Sequence, residues 1–108
     1  MTGTVTLHEP VFHTNEKLIT DGVIINESPD EISATVVFEV VRASDGEMFG
    51  RNVSSDVFPP RMSVPFSNSL STSAWTPGEY EVRLWIGKND PTVRRLLDLK
   101  TFTLMAPE

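Results

Sequence analysis

Residues 75–87 read WTPGEYEVRLWIG. Taken as a strand, the segment alternates: Tyr80, Val82, Leu84 and Ile86 point one way, and Glu79, Glu81, Arg83 and Trp85 the other. The first set is a core face. The second is a solvent face, with Trp85 as its exception. The same period of two recurs along the chain between turn signals, and no segment of helical length keeps a capped helical period. The pattern is all-β.

Outward from this stretch, strands are expected over 5–12, 17–25, 33–42, 48–58, 62–66, 79–87 and 97–105. Pro10 weakens the middle of the first, because proline lacks a ladder donor. Ala34, Val36, Phe38 and Val40 share one face of the third, and Asp45-Gly46 then marks a tight hairpin. The returning strand should be irregular near Gly50 and end at Pro59-Pro60. Pro65 confines 62–66 to an edge or bulge, and 67–76 reads as a polar link in which Trp75 plugs the sandwich end. Lys88-Asn89-Asp90-Pro91 turns the chain into a last strand with Phe102 and Leu104 facing in. Seven strands at this spacing suit a seven-stranded antiparallel immunoglobulin/fibronectin-like β-sandwich, with 1–108 as a single domain.

Composition removes several classes of function. At 108 residues the chain can bury roughly 65% of its unfolded surface without staples. It has no cysteine, so disulfides, thiolate metal sites and thiol nucleophiles are excluded. A net charge of −6, with no basic cluster beyond Arg94-Arg95, argues against nucleic acid and anionic membranes as partners. No run approaches the ~20 apolar residues of a membrane span, and MTGTVTLHEP is no signal peptide. A complete chain of this kind would be cytoplasmic; a domain of a longer chain would suit a bacterial cell surface.

Catalytic groups are sparse. The bases available to a hydrolytic triad are His8 and His13, with Pro10 between them and no nucleophile motif nearby. His8, His13 and Glu9 match no metal-ligand spacing. Glu79 and Glu81 share a wet strand face that does not raise a carboxyl pKa. Gly46 and Gly50 form no phosphate loop. No catalytic residue, metal or cofactor is expected. Asn26-Glu27-Ser28 and Asn52-Val53-Ser54 match the glycosylation sequon, at about the chance frequency for a Ser/Thr-rich chain.

Trp75-Thr76-Pro77-Gly78-Glu79-Tyr80 and the strand after it resemble the tyrosine-corner region of fibronectin type III and related immunoglobulin-like domains. That resemblance implies a structural role for Pro77, Gly78 and Tyr80, with the Tyr80 ring in the core and its hydroxyl bonded to upstream backbone. The Pro-Gly to Tyr spacing is one residue shorter than the usual fibronectin pattern, and no early core Trp is present. Asp45-Gly46, Gly78-Glu79-Tyr80 and Asp98 to Phe102 are similar to the polysaccharide-binding C-terminal domain of O-antigen ABC transporter ATPases. Ile24–Ser28 resembles a run in immunoglobulin-like accessory domains of bacterial glycosidases and surface proteins. Those resemblances imply a non-catalytic binding module.

In such a sandwich the third, sixth and seventh strands are neighbours. Their outward residues include Val37, Glu39, Val41, Glu81, Arg83, Trp85 and Leu99, an apolar group with a charged rim on a face that should be wet. Three readings of Trp85 stand. It is covered by the chain's own 88–95 loop or turned by a bulge; it meets another protein, in a homodimer or a neighbouring domain of a longer chain; or it stacks on a sugar while Arg83, Glu81 and Glu39 bond hydroxyls. The leading expectation is polysaccharide recognition through this face. The alternative is a structural or protein-interaction domain.

Overall fold

A computed structural model describes residues 1–87 and 94–106. It is all-β, with eight strands: β1 Thr2–Leu7, β2 Val11–His13, β3 Lys17–Ile25, β4 Ile32–Arg42, β5 Met48–Phe58, β6 Ser63–Ser71, β7 Gly78–Gly87 and β8 Arg94–Met105. They form a three-stranded sheet, β1-β3-β6, and a five-stranded sheet, β2-β8-β7-β4-β5. The expected turn at Lys88-Asn89-Asp90-Pro91 lies outside the described residues.

Two expectations are corrected, both at Pro10. There are eight strands rather than seven, because the segment around Pro10 does not stay in one ladder. β1 pairs with β3 in the small sheet; past Pro10, β2 crosses over and runs parallel to β8 in the large one. The sandwich is therefore mixed, not purely antiparallel. The Pro10 carbonyl still accepts a bond from the Thr103 N–H, 3.1 Å, so the crossover is tied to β8. The 67–76 link is also shorter than expected: β6 continues to Ser71, alternating exposed and half-buried residues, and among the described residues pairs only with β3. Pro65 is tolerated because β6 is an edge strand.

Other local signals match the structure. Gly46 takes φ +71° in the β4–β5 hairpin, where a Cβ would be strained. The register slips between Val40 and Val41, beside Gly50. Trp75 is buried. It stacks on Tyr80 at 5.5 Å, Tyr80 stacks on Phe102 at 5.5 Å, and Phe102 meets the Phe12 ring edge-on at 5.6 Å. This aromatic column joins β2, β8 and β7 to the 72–77 segment. Tyr80 is fully buried, and its hydroxyl donates to the Thr76 carbonyl at 2.5 Å. Pro77 precedes β7 and Gly78 opens it.

The sheets are linked along both sides. On one, the Val5 N–H donates to Asp98 Oδ2 at 2.8 Å, bridging β1 and β8. On the other, Asn52 of β5 donates to Asn68 of β6 at 3.0 Å. Beneath that bridge lies a cleft of about 170 Å³ lined by Ile24, Val36, Phe38, Phe58, Val64 and Phe66. It is smaller than the ~300 Å³ at which small-molecule sites begin.

Candidate functional site

The strand registers settle which outward residues stand side by side on the large sheet. Trp85 of β7 is opposite Val37 of β4 on one side and Leu96 of β8 on the other; Val37 is opposite Val53 of β5. Leu96, Trp85, Val37 and Val53 thus form one apolar row across four strands. The next row is Leu99, Arg83, Glu39 and Arg51, and the one after it Thr101, Glu81, Val41 and Met48. All seven residues expected at the contact face stand in these three rows.

Their exposure differs from expectation. Val37, Glu39 and Val41 lie on the outer face but are buried, at 0%, 2% and 2% exposure. β4 is flanked on this surface by β7 and β5. These three form the floor, out of direct reach of a partner. Trp85, Arg83 and Glu81 are half-buried. The accessible apolar atoms belong to Leu96, Leu99, Val53, Met48 and Val57.

Of these, only Leu99 was expected from the sequence. Leu96 was missed because a bulge between Leu84 and Trp85 shifts the β8 register: Leu84 faces Asp98, and Trp85 faces Leu96. Val53 and Val57 had a readable signal. Phe58 faces the core, so odd-numbered residues of β5 face out.

Electrostatics pin the floor. The Glu39 carboxylate lies 3.9 Å from the Arg51 guanidinium, and Arg83 is opposite Glu39 on the other flank. Arg83 donates twice to Glu81 Oε2, at 3.1 and 2.7 Å. A buried carboxylate persists only where cations and donors surround it.

A second construction stands at the end of the sandwich where β3 passes to β4 and β5 to β6. Asn26 is fully buried. The two hydrogens of its amide nitrogen are shared among the carbonyls of Asp30, Phe58 and Pro59, at 2.9, 3.0 and 3.1 Å, and its oxygen accepts from the Ser28 N–H at 2.9 Å. Its backbone N–H bonds the Met62 carbonyl, and the Arg61 N–H bonds that of Ser28. One side chain thereby clamps two loops together. A glycan cannot be attached to Asn26 in this fold.

The histidines are otherwise engaged. His8 pairs with Asp21 at 2.5 Å and His13 with Glu16 at 3.0 Å. Among the described residues no group of three or more His, Asp or Glu could hold a metal ion.

The family model for BsuPI, intracellular proteinase inhibitor, matches residues 31–90, which is 60 of the 108. The chain belongs to this family. The match runs from the end of the Asn26-clamped loop through β4, β5, β6 and β7, and so includes most of the outer face. No curated protein matches the chain.

Solved structures contain sandwiches of similar shape. The DNA glycosylase AlkC of Pseudomonas fluorescens contains a similar unit, with TM-score 0.76 and 11% identity over 97% of this chain and 30% of that one. The CARDB domain of PF1109 from Pyrococcus furiosus matches with TM-score 0.65 and 13% identity, over 97% of this chain and 90% of that one. The C-terminal domain of wzt matches with TM-score 0.62 and 13% identity, over 98% of this chain and 71% of that one. At such identities these likenesses show the fold alone, an immunoglobulin-like β-sandwich. This BsuPI-family chain spans less than a third of the glycosylase. Family and fold together fit a small, non-catalytic, binding-type domain.

Proposed function

We propose that this chain is an inhibitor-type domain that binds a proteinase through the outer face of its five-stranded sheet. The observation that carries the reading is the apolar row Leu96–Trp85–Val37–Val53, exposed at both ends and backed by a buried floor. A rigid apolar strip beside two arginines, Arg51 and Arg83, has the composition of a protein-binding patch. The family description supplies the partner's class. A sugar platform requires an open aromatic face, and Trp85 is half-buried in its row, which favours protein over polysaccharide.

The test is a titration of a panel of serine, cysteine, metallo and aspartic proteinases with the wild-type chain and with Val53→Glu/Leu99→Glu. Both residues are exposed, so the fold should survive the changes. The expected result is stoichiometric inhibition of at least one proteinase, weakened at least about 30-fold in the variant. Inhibition of none would overturn the reading. So would equal inhibition by both proteins.

A further inference from the structure

We infer that the open side of the sandwich, between β5 and β6, is a second binding site: an extended peptide segment adds to the β5 edge and seats one phenylalanine ring in the cleft there. The segment carries a basic residue two positions from the phenylalanine, facing Asp56. This site uses the inward faces of β4 and β5, so it is separate from the outer face of the large sheet.

The gap is written into the sequence of β5. Inward residues of a sandwich strand are ordinarily apolar. Ala34, Val36 and Phe38 of β4 obey that rule and are buried, yet the β5 residues opposite them are Asp56, Ser54 and Asn52, all exposed. The sandwich closes again on either side of this stretch. At one end Gly50 lies so near β6 that an added Cβ would come within 2.8 Å of Leu70 Cδ1. At the other end Phe58 is 1% exposed. The gap from Asn52 to Asp56 is four residue steps, about 13 Å of strand. Across it, β6 contributes Val64 and Phe66 to the apolar lining, and Ser67 and Asn68 to the polar part.

The size of the cleft selects the guest. An apolar cavity of about 150 Å³ lined by Leu, Ile and Phe side chains takes up benzene. This cleft holds about 170 Å³ against Ile, Val and Phe side chains. It has room for one phenyl ring. Apolar lining beside polar groups suits a guest that is apolar at its tip and polar at its stem, as a phenylalanine in a peptide is. A tyrosine would carry its hydroxyl into the apolar part, where a polar group without a partner is costly.

The strand edge supplies the backbone. Among the described residues β5 pairs only with β4, which leaves the N–H and C=O groups of its other side open to a further strand. β5 is eleven residues long and has neither proline nor lysine to blunt it. By contrast β6 carries Pro65, and β2, the far edge of the same sheet, has three residues. A strand added to β5 sets alternate side chains over the gap, where main-chain bonds give affinity and the cleft gives specificity. Charge selects the neighbour of the ring. Asp56 accepts a bond from Ser54 Oγ at 3.0 Å, and among the described residues no cation pairs with it. In a chain of net charge −6 it favours Lys or Arg on the incoming strand. A ring seated over Ser54 and Val36 puts the residue facing Asp56 two positions away on the same face.

The experiment reads amide chemical shifts of the full chain. The probes are the acetylated, amidated peptide Thr-Lys-Val-Phe-Val-Thr, its versions with alanine in place of phenylalanine or lysine, and benzene. The expected result is saturable shifts along β5 and at Val36 and Phe66, at peptide concentrations of about 1 mM or below. Alanine for phenylalanine should weaken binding at least about tenfold. Alanine for lysine should weaken it about threefold in wild type and not at all in Asp56→Asn. Ser54→Phe supplies a ring from the chain itself and should bind neither the peptide nor benzene. The inference is overturned by an absence of peptide shifts, by equal binding of the peptide without phenylalanine, or by a lysine effect that persists in Asp56→Asn. Benzene binding without peptide binding also overturns it, since the guest would then be a small aromatic molecule. So do β5 shifts on dilution of the chain alone, which would assign the edge to a second copy. Each of these failures leaves the proteinase-binding reading standing.

Discussion

Removing the Asn26 side chain should cost this protein more than removing any other polar group described above. Asn26→Ala deletes four hydrogen-bond contacts, three of them sharing the two amide hydrogens, at a fully buried position. Three of them lie at the partly buried rim, where water can reach the freed Ser28 N–H and the carbonyls of Asp30 and Pro59. Each is worth about 0.5 kcal/mol. The fourth, to the Phe58 carbonyl, is buried, and its loss leaves an acceptor without water, at about 1.5 kcal/mol. The total is about 3 kcal/mol. With about 2.1 cal/mol/K of unfolding entropy per residue over 108 residues, the melting temperature falls by about 13 °C. Urea unfolding should show a lower midpoint with an unchanged slope, since the surface exposed on unfolding is the same. Asn26→Asp keeps the size and the acceptor but sets a carboxylate against three carbonyls. It should be at least as destabilised at neutral pH, and should recover in part in acid, where a protonated carboxyl donates once. If Asn26→Ala unfolds within about 1 kcal/mol of wild type, the clamp is not what orders these loops and the reasoning fails.

The remaining predictions concern pH, a close approach and the tyrosine hydroxyl. Asp45 is held down to about 2 by Arg42, Asp21 is lowered by its hydrogen bond to His8, and Asp98, although burial pushes it up, is brought below the ordinary range by the Val5 N–H, Lys100 and the Leu99 N–H. Folded values below unfolded ones stabilise above the unfolded value, so stability should hold above about pH 4 and fall as pH drops from there toward 2; a pH series of thermal melts reads this, and Asp98→Asn should flatten it. Gly22 lies beneath the Phe66 ring, where an added Cβ would come within 2.1 Å of the ring and 2.7 Å of the Thr4 carbonyl oxygen. Gly22→Ala should therefore cost about 1–3 kcal/mol in urea unfolding, and a neutral result would contradict the packing between β3 and β6. Tyr80→Phe keeps the aromatic stack and removes the bond to Thr76, so it should cost about 1 kcal/mol, while Tyr80→Ala opens the column and costs about 3–5.

Much of the fold was legible because its signals are local. The alternation of Tyr80, Val82, Leu84 and Ile86, the Asp45-Gly46 turn and the irregularity near Gly50 each follow from a few adjacent residues. What sequence could not show was pairing across distance. Pro10 told of a weakened strand, but that its two halves serve different sheets depends on what lies opposite each half. Residues 67–71 are so polar that they read as a link; they continue the strand begun at Ser63 because Leu18 and Thr20 of β3 receive Leu70 and Asn68 in register. The outer face was legible in outline, since Trp85 among charges broke the pattern. Its accessible atoms were not, because the bulge after Leu84 sets Leu96 opposite Trp85, and Val37, Glu39 and Val41 of β4, which has a strand on either side, are buried. The Asn26 clamp was invisible: an Asn in a turn cluster is commonplace, and its partners Phe58 and Pro59 are more than 30 residues away. The 88–95 loop that sequence offered as a cover for Trp85 falls largely outside the described residues, at 88–93.

The most direct test of the account is sedimentation of the wild-type chain and of Val53→Glu/Leu99→Glu, each mixed with a proteinase that the wild type inhibits. The account predicts a stoichiometric complex with wild type and separate boundaries for the folded variant. A complex of equal strength with both proteins would contradict it, because the exposed ends of the sheet face would then contribute nothing to binding.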